Sequence, residues 1–214
     1  MFSTTVHAII LAAGSSTRMG SVKQSLEIEG YSMLDHAVMK AAKLPVERIV
    51  IITGAHAKAV EDSVTISDSR IQFLHNPNHE TGQATSLKKG LCYAQSRGAH
   101  ALVMLADQPC ISKDTFQTVY DEGLSMKASR KPYTVRPMFH GQQGHPVFFG
   151  RPYMLNLMCL KLPGDEGGKR LNSQVVSLHT PVNDPLINFD VDTPTDYEKA
   201  KELLNTSSTE RIKN

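Results

Sequence analysis

The chain has 214 residues, enough to bury a sizeable core within one domain, and its 40% hydrophobic and 21% charged residues exclude a disordered, collagenous or fibrous protein. Lys and Arg number 23 against 21 Asp and Glu, a net charge of +2 that argues for neither nucleic acid nor an anionic membrane as partner. No apolar run approaches the ~20 residues that span a bilayer, and MFSTTVH has no basic stretch leading into an apolar core, so a cytoplasmic protein without membrane partner is expected.

Short apolar runs alternate with segments of helical period. Residues 6–11, 48–53, 71–75 and 101–105 read as strands, three of them nearly all apolar, as in a parallel sheet covered on both faces. Between them the pattern predicts helices over 33–43, 55–64 and 83–96, the last ending before Gly98 as a C-terminal glycine should. This β-α-β-α-β-α-β order predicts an α/β fold, a Rossmann-like, doubly wound, mostly parallel sheet. Beyond Asp107 the rhythm loosens: a helix over 112–126 capped by Ser112, strands at KPYTVRP and HPVFFG with a turn between them, a short helix over 151–160, and a strand over 174–179. A small antiparallel part is therefore expected in the second half. The last helix, 194–204, has Thr193 as N-cap and Pro194 in its first turn. Residues 1–204 read as one domain, and 205–214 as a polar, flexible tail.

In a parallel sheet, ligands bind beyond the carboxyl ends of the strands. The loop after the first strand, AAGSSTRMGSVKQ, is rich in Gly and Ser and carries Arg18 and Lys23. Backbone N–H groups in such a turn can cradle phosphate oxygens while the cations neutralise charge; the alternative is a solvated surface loop. GxGxxG would need glycine where Ser16 is found, and a P-loop would need lysine where Ser21 is found, so neither motif is present. Asp107 ends the run VMLAD, where it suits either Mg²⁺ or an Asx-turn. NFDVDTPTDY presents Asp190 and Asp192 at strand spacing, candidates for a second carboxylate on the metal or for capping the last helix. Asp196 is expected in the first turn of that helix, satisfying its dipole.

NPNHETGQATSL offers Asn76, Gly82, Gln83 and Ser86 for reading a base or ribose, or as a loop and a helix cap. LPGDEGGKR places Asp165, Lys169 and Arg170 among glycines, as an anion clamp or a solvated turn. His145 either contacts substrate or bonds the local backbone. His75 and His79 are separated by Pro77, which argues against a zinc pair on one helical face. Cys92, Cys110 and Cys159 form no C-x-x-C pair and are expected to be reduced, buried thiols. No nucleophile with a neighbouring base is evident, which disfavours covalent catalysis.

LAAGSSTRMGSVKQ, NPNHETGQATSL, LADQP, GHPVFF, GDEGGKR and DVDTPTDY occur in the order and approximate spacing of the MobA-like nucleotidyltransferases, and the resemblance runs from about His7 to Leu204. The chain most resembles the branch that transfers cytidylyl groups to the molybdenum cofactor, with relatives attached to xanthine dehydrogenase maturation and purine catabolism. The resemblance implies a sheet of the nucleotide-diphospho-sugar transferase type and a Mg²⁺-dependent transfer from CTP to molybdopterin with release of pyrophosphate, possible client enzymes being molybdoenzymes. It implies that Leu11, Ala12, Ala13, Gly14 and Ser15 hold base and phosphates, with Gly82 and Ser86 also on the nucleotide. Arg18 and Lys23 would act on the triphosphate, Asp107 would ligate Mg²⁺ with Asp192 and Asp190, and His145, Asp165 and Arg170 would face the acceptor. LAAG, where the guanylyl branch reads LAGG, points to CTP. KQSLEIEG lacks the usual Leu-Leu-Pro after the lysine, and Ala84 and Thr85 depart from many relatives. The same motifs leave room for a sugar phosphate or other small phosphate acceptor, or for a cofactor carrier without catalysis.

Overall fold

The computed structural model describes residues 4–14, 22–129, 131–150 and 175–211. Its strands are β1 (Val6–Ala12), β2 (Glu27–Ile28), β3 (Tyr31–Ser32), β4 (Arg48–Thr53), β5 (Ile71–His75), β6 (His100–Leu105), β7 (Tyr133–Phe139), β8 (Gln142–Gln143), β9 (Val147–Phe149) and β10 (Val176–Pro181). The helices are α1 (Met33–Ala42), α2 (Ala57–Asp62), α3 (Gln83–Ser96), α4 (Lys113–Ser125) and α5 (Pro194–Arg211).

The main sheet has the order β10-β7-β9-β6-β1-β4-β5, with β8 alongside β7. β1 pairs in parallel with both β4 and β6, β4 with β5, and β7 with β10. β9 runs antiparallel between β6 and β7, the expected departure in the second half. β1 is the inner strand because both faces of it are apolar: Ala8 and Ile10 join the core on the α1 and α4 side, Ile9 the core on the α3 side. Gly90 lets α3 close on that second face, since a Cβ there would come within 2.3 Å of Ile9.

Caps fix the helices. Ser32 accepts from the Asp35 N–H at the start of α1, and the buried Asp35 carboxylate accepts from the N–H and hydroxyl of Thr65. Arg70 grips Asp68 and donates to the carbonyls of Ala42, Leu44 and Val46, closing the chain that leaves α1. At α4, Ser112 accepts from the Thr115 N–H as anticipated. The Asp184 carboxylate adds bonds from the Ser112 N–H, the Thr115 hydroxyl and the Leu186 N–H, so a distant segment finishes the cap. Thr193 and Asp196 form a reciprocal box before α5.

Several expectations change. α5 continues to Arg211, past the end expected at 204, because a nucleated helix extends with little further cost. The β2–β3 hairpin sits where no strand was foreseen. Residues 190–192 form no strand; the Val191 N–H donates instead to the Asp107 carbonyl at 2.9 Å. Cys110 is buried and free, its thiol pushed up to about 11 by burial, whereas Cys92 is disulfide-bonded, against the expectation of reduced thiols. The helix expected over 151–160 lies outside the described residues.

Candidate active site

The carboxyl ends of β1, β4 and β6 lie side by side, because Ala12 pairs with Thr53 and Leu11 with Leu105. The chain leaving β1 at Ala13 and Gly14 passes close to the loop after β4: a Cβ on Gly54 would meet the Ala13 carbonyl oxygen at 2.6 Å and the His79 side chain at 2.8 Å. Of the residues expected to hold nucleotide, Leu11, Ala12, Ala13 and Gly14 are therefore at this edge, with Gly14 exposed. Ser15 and Arg18 lie outside the described residues, as do Asp165 and Arg170.

Lys23 belongs to the short turn Lys23–Ser25. Its ammonium donates to Asp107 Oδ2 at 2.9 Å and to Asp192 Oδ1 at 2.7 Å, joining three segments that are remote in sequence. The Lys23 side chain is 9% exposed, whereas those of Asp107 and Asp192 are 28% and 41% exposed. The cation is thus the buried centre and the carboxylates its reachable rim. Burial by itself would lower the ammonium's pKa, but the charge of Asp107 and the hydrogen bonds to Asp192 and Asp107 outweigh it and hold the group above the usual lysine range.

Asp190 takes a different partner, accepting from the Gln108 amide at 2.7 Å. Desolvation of its carboxyl raises the Asp190 pKa, and the negative charges of Asp107 and Asp192 push the same way. The three acidic residues expected around a metal are thus electrostatic neighbours, with Asp107 and Asp192 held on Lys23 and Asp190 on Gln108. No group of three or more His, Cys, Asp or Glu arranged to hold a metal is found among the described residues. Mg²⁺ does not require one: one or two carboxylates completed by waters and substrate phosphates are its ordinary protein ligands, and Asp107 with Asp192 would supply such oxygen donors.

The loop after β5 is organised from within. Asn76, 3% exposed, donates to the hydroxyls of Thr85 and Ser86 at 2.9 Å each, and its side-chain oxygen accepts from the Asn78 N–H. Ser86 is buried, so its hydroxyl holds this loop together. Gly82 has φ +116°, a conformation that side chains disfavour, at the N-terminus of α3. His145 adjoins the other flank of β6; its N–H donates to the Ile187 carbonyl at 3.1 Å. Burial, and then the charge of Arg136, lower its pKa to about 4. Gln108 and Asp184 escaped the sequence reading of the site and its supports. Only the position of Gln108 beside Asp107 could have flagged it, and nothing local marks Asp184.

A family model described as the MobA-like NTP transferase domain matches residues 8–179. The molybdenum cofactor cytidylyltransferase of Escherichia coli (strain K12) is 26% identical over 92% of this chain and 96% of its own. Among solved structures, a nucleotidyl transferase from Methanothermobacter superposes with a TM-score of 0.76 at 18% identity, covering 95% of this chain and 100% of that one. Rv0371c from Mycobacterium tuberculosis H37Rv, solved in complex with manganese, gives 0.68 at 23% identity over 93% and 99%. Among the described residues no helix is long and apolar enough to cross a membrane. With a mostly parallel α/β sheet of the nucleotide-diphospho-sugar transferase fold and a lysine–carboxylate cluster at its carboxyl edge, the chain belongs to the MobA-like NTP transferase family, and the protein is a nucleotidyltransferase.

Proposed function

We propose that this nucleotidyltransferase moves the cytidylyl group of CTP to the terminal phosphate of molybdopterin or the molybdenum cofactor, releasing pyrophosphate, in the cytoplasm and on behalf of a molybdoenzyme. The observation that carries the reading is the Lys23 ammonium bound at once to Asp107 and Asp192, beside the loop that leaves β1. The choice of acceptor is supported by the likeness, over nearly the whole chain, to a molybdenum cofactor cytidylyltransferase.

The backbone of Leu11 through Gly14, with Ser15 and Arg18 beyond, would hold base and phosphates, and Gly82 and Ser86 would shape the wall of the nucleotide site. Lys23 offers positive charge where the triphosphate's negative charge accumulates, and its two carboxylate partners fix it in one place. Asp107 and Asp192, with Asp190 behind them, would hold Mg²⁺, which when bound neutralises phosphate charge. The nucleophile is a phosphate that is already ionised, so positioning and charge neutralisation matter more than a strong base. His145, neutral at pH 7, together with Asp165 and Arg170 would face the acceptor.

The test is direct. Purified protein is incubated with Mg²⁺, molybdenum cofactor and each nucleoside triphosphate in turn, and pyrophosphate and the dinucleotide product are measured. CTP-dependent product establishes the reading. Pterin binding without turnover indicates a carrier, and turnover only with another phosphorylated acceptor, such as a sugar phosphate, moves the assignment there.

A further inference from the structure

Val135 of β7 is buried in the core on the α1 and α4 side. Strand alternation therefore turns its neighbours Thr134 and Arg136 to the opposite face, where Val103, Val147 and Phe149 are found. On that face α3 packs over β1, β4 and β6. Next to β7, β10 places Ser177 beside Thr134 and His179 beside Arg136. The Thr134 hydroxyl donates to Ser177 at 3.4 Å, and Ser177 lies 3.3 Å from His179 Nε2. An apolar sheet face thus becomes a polar row at this end.

Arg136 is the unusual member. Among the described residues it makes no ion pair and no hydrogen bond. Burial lowers its pKa, and no described carboxylate acts in the other direction. A half-buried guanidinium with no counter-ion is unfavourable, and an anion bound there removes the penalty. Its planar fork of donors matches a phosphate, and neighbouring hydroxyls can complete the contacts.

Sheet order says which phosphate. β1 and its nucleotide loop flank β6 on one side, and β9 and β7 on the other. Asp107, just beyond β6, lies between them. β9 runs antiparallel to β6 with Val147 opposite Val103, so His145, two residues earlier, is level with the end of β6. In-line displacement needs the attacking oxygen opposite the leaving pyrophosphate, and therefore a second anion site across Asp107 from the triphosphate. The geometry points to Arg136 as the residue that anchors the phosphate of the acceptor, with His179, its partner in the register of β7 and β10, beside it. Arg136 is then a positioning residue that selects phosphorylated acceptors, a role that rests on the transfer reaction proposed above.

Two measurements on Arg136→Gln separate the two ideas. In the first, inorganic phosphate is titrated calorimetrically into wild type and variant already saturated with a non-hydrolysable CTP analogue, which keeps phosphate out of the nucleotide site. The wild type is expected to bind and the variant to bind at least tenfold more weakly; equal binding, or none in the wild type, overturns the subsite whatever the activity. In the second, the variant is expected to raise the acceptor's KM at least tenfold and leave the KM for CTP within about twofold, with Arg136→Lys recovering part of the loss. A change in kcat alone, or in both KM values together, overturns the role in positioning. Absence of transfer to any phosphorylated acceptor by the wild type defeats the proposed function, while the phosphate titration still decides the subsite.

Discussion

Two cations in this molecule, one buried and one half-buried, have opposite surroundings. Lys23 is enclosed by two carboxylates at hydrogen-bonding distance, whereas Arg136 has His179 beside it in the sheet and no described acid. The first arrangement is complete as a structural element: the ammonium offsets part of the desolvation penalty of each carboxylate, and the carboxylates offset that of the ammonium. The second is incomplete until an anion arrives. A charge satisfied by its own fold serves as scaffold and local field, and a charge left unsatisfied serves to recruit a ligand.

The contrast breaks most visibly at the paired site. Lys23→Ala and Asp107→Asn are each expected to lower kcat/KM for nucleotidyl transfer by about 10²–10³-fold, the scale of losing one preorganised electrostatic contact. Lys23→Ala also leaves two carboxylates facing each other, so its thermal midpoint should fall; unchanged turnover in both variants would remove the cluster from the reaction. Chelation with EDTA is expected to stop pyrophosphate release, and Mg²⁺ to restore it in the wild type but not in a variant lacking both Asp107 and Asp192. Full activity in EDTA would show that the carboxylates serve only Lys23.

Asp184 sharpens the comparison with a carboxylate satisfied wholly by neutral donors. Asp184→Ala leaves the Ser112 N–H and the Thr115 hydroxyl without that acceptor and should cost about 2–3 kcal/mol in denaturant unfolding. At 25 °C the KM for CTP should not change, because α4 packs against β7 and β9, away from the loop after β1.

The smallest effect is expected at His7, fully buried in β1 with neither ring nitrogen hydrogen-bonded. Burial lowers its pKa below the ordinary histidine value, opposed by Glu47 and assisted by Arg97 and Arg48. The unfolded chain then binds the extra proton first, so stability is full above about pH 6.5 and declines as pH falls below it. His7→Phe should flatten that acid slope in unfolding midpoints between pH 7 and pH 5. An unchanged slope would assign the decline to another group.

The first half of the fold was legible because its signals are local. Residues 48–53, 71–75 and 83–96 coincide with β4, β5 and α3, since the buried apolar run of β4, the shorter apolar segment of β5 and the helical period of α3 leave direct traces in hydrophobicity. The β2–β3 hairpin left none, as strands of two residues have no period to detect. At the site, Lys23, Asp107, Asp190 and Asp192 could be nominated from their places at the ends of apolar runs and in the resemblance. Arg136 could not, because a single arginine in an apolar strand reads the same whether a carboxylate answers it or not.

The sequence by itself determined the alternation of strands and helices, the parallel core, the caps at Ser112 and Thr193, and the chemical types gathered at the carboxyl edge. Each of these depends on residues only a few positions apart. Only the tertiary structure decided that Lys23 joins Asp107 to Asp192, that Asp184 completes the cap of α4, and that Arg136 meets no acid among the described residues. Such outcomes depend on which distant segments the sheet order brings into contact, and pairwise electrostatics between them leaves no periodic mark on the chain.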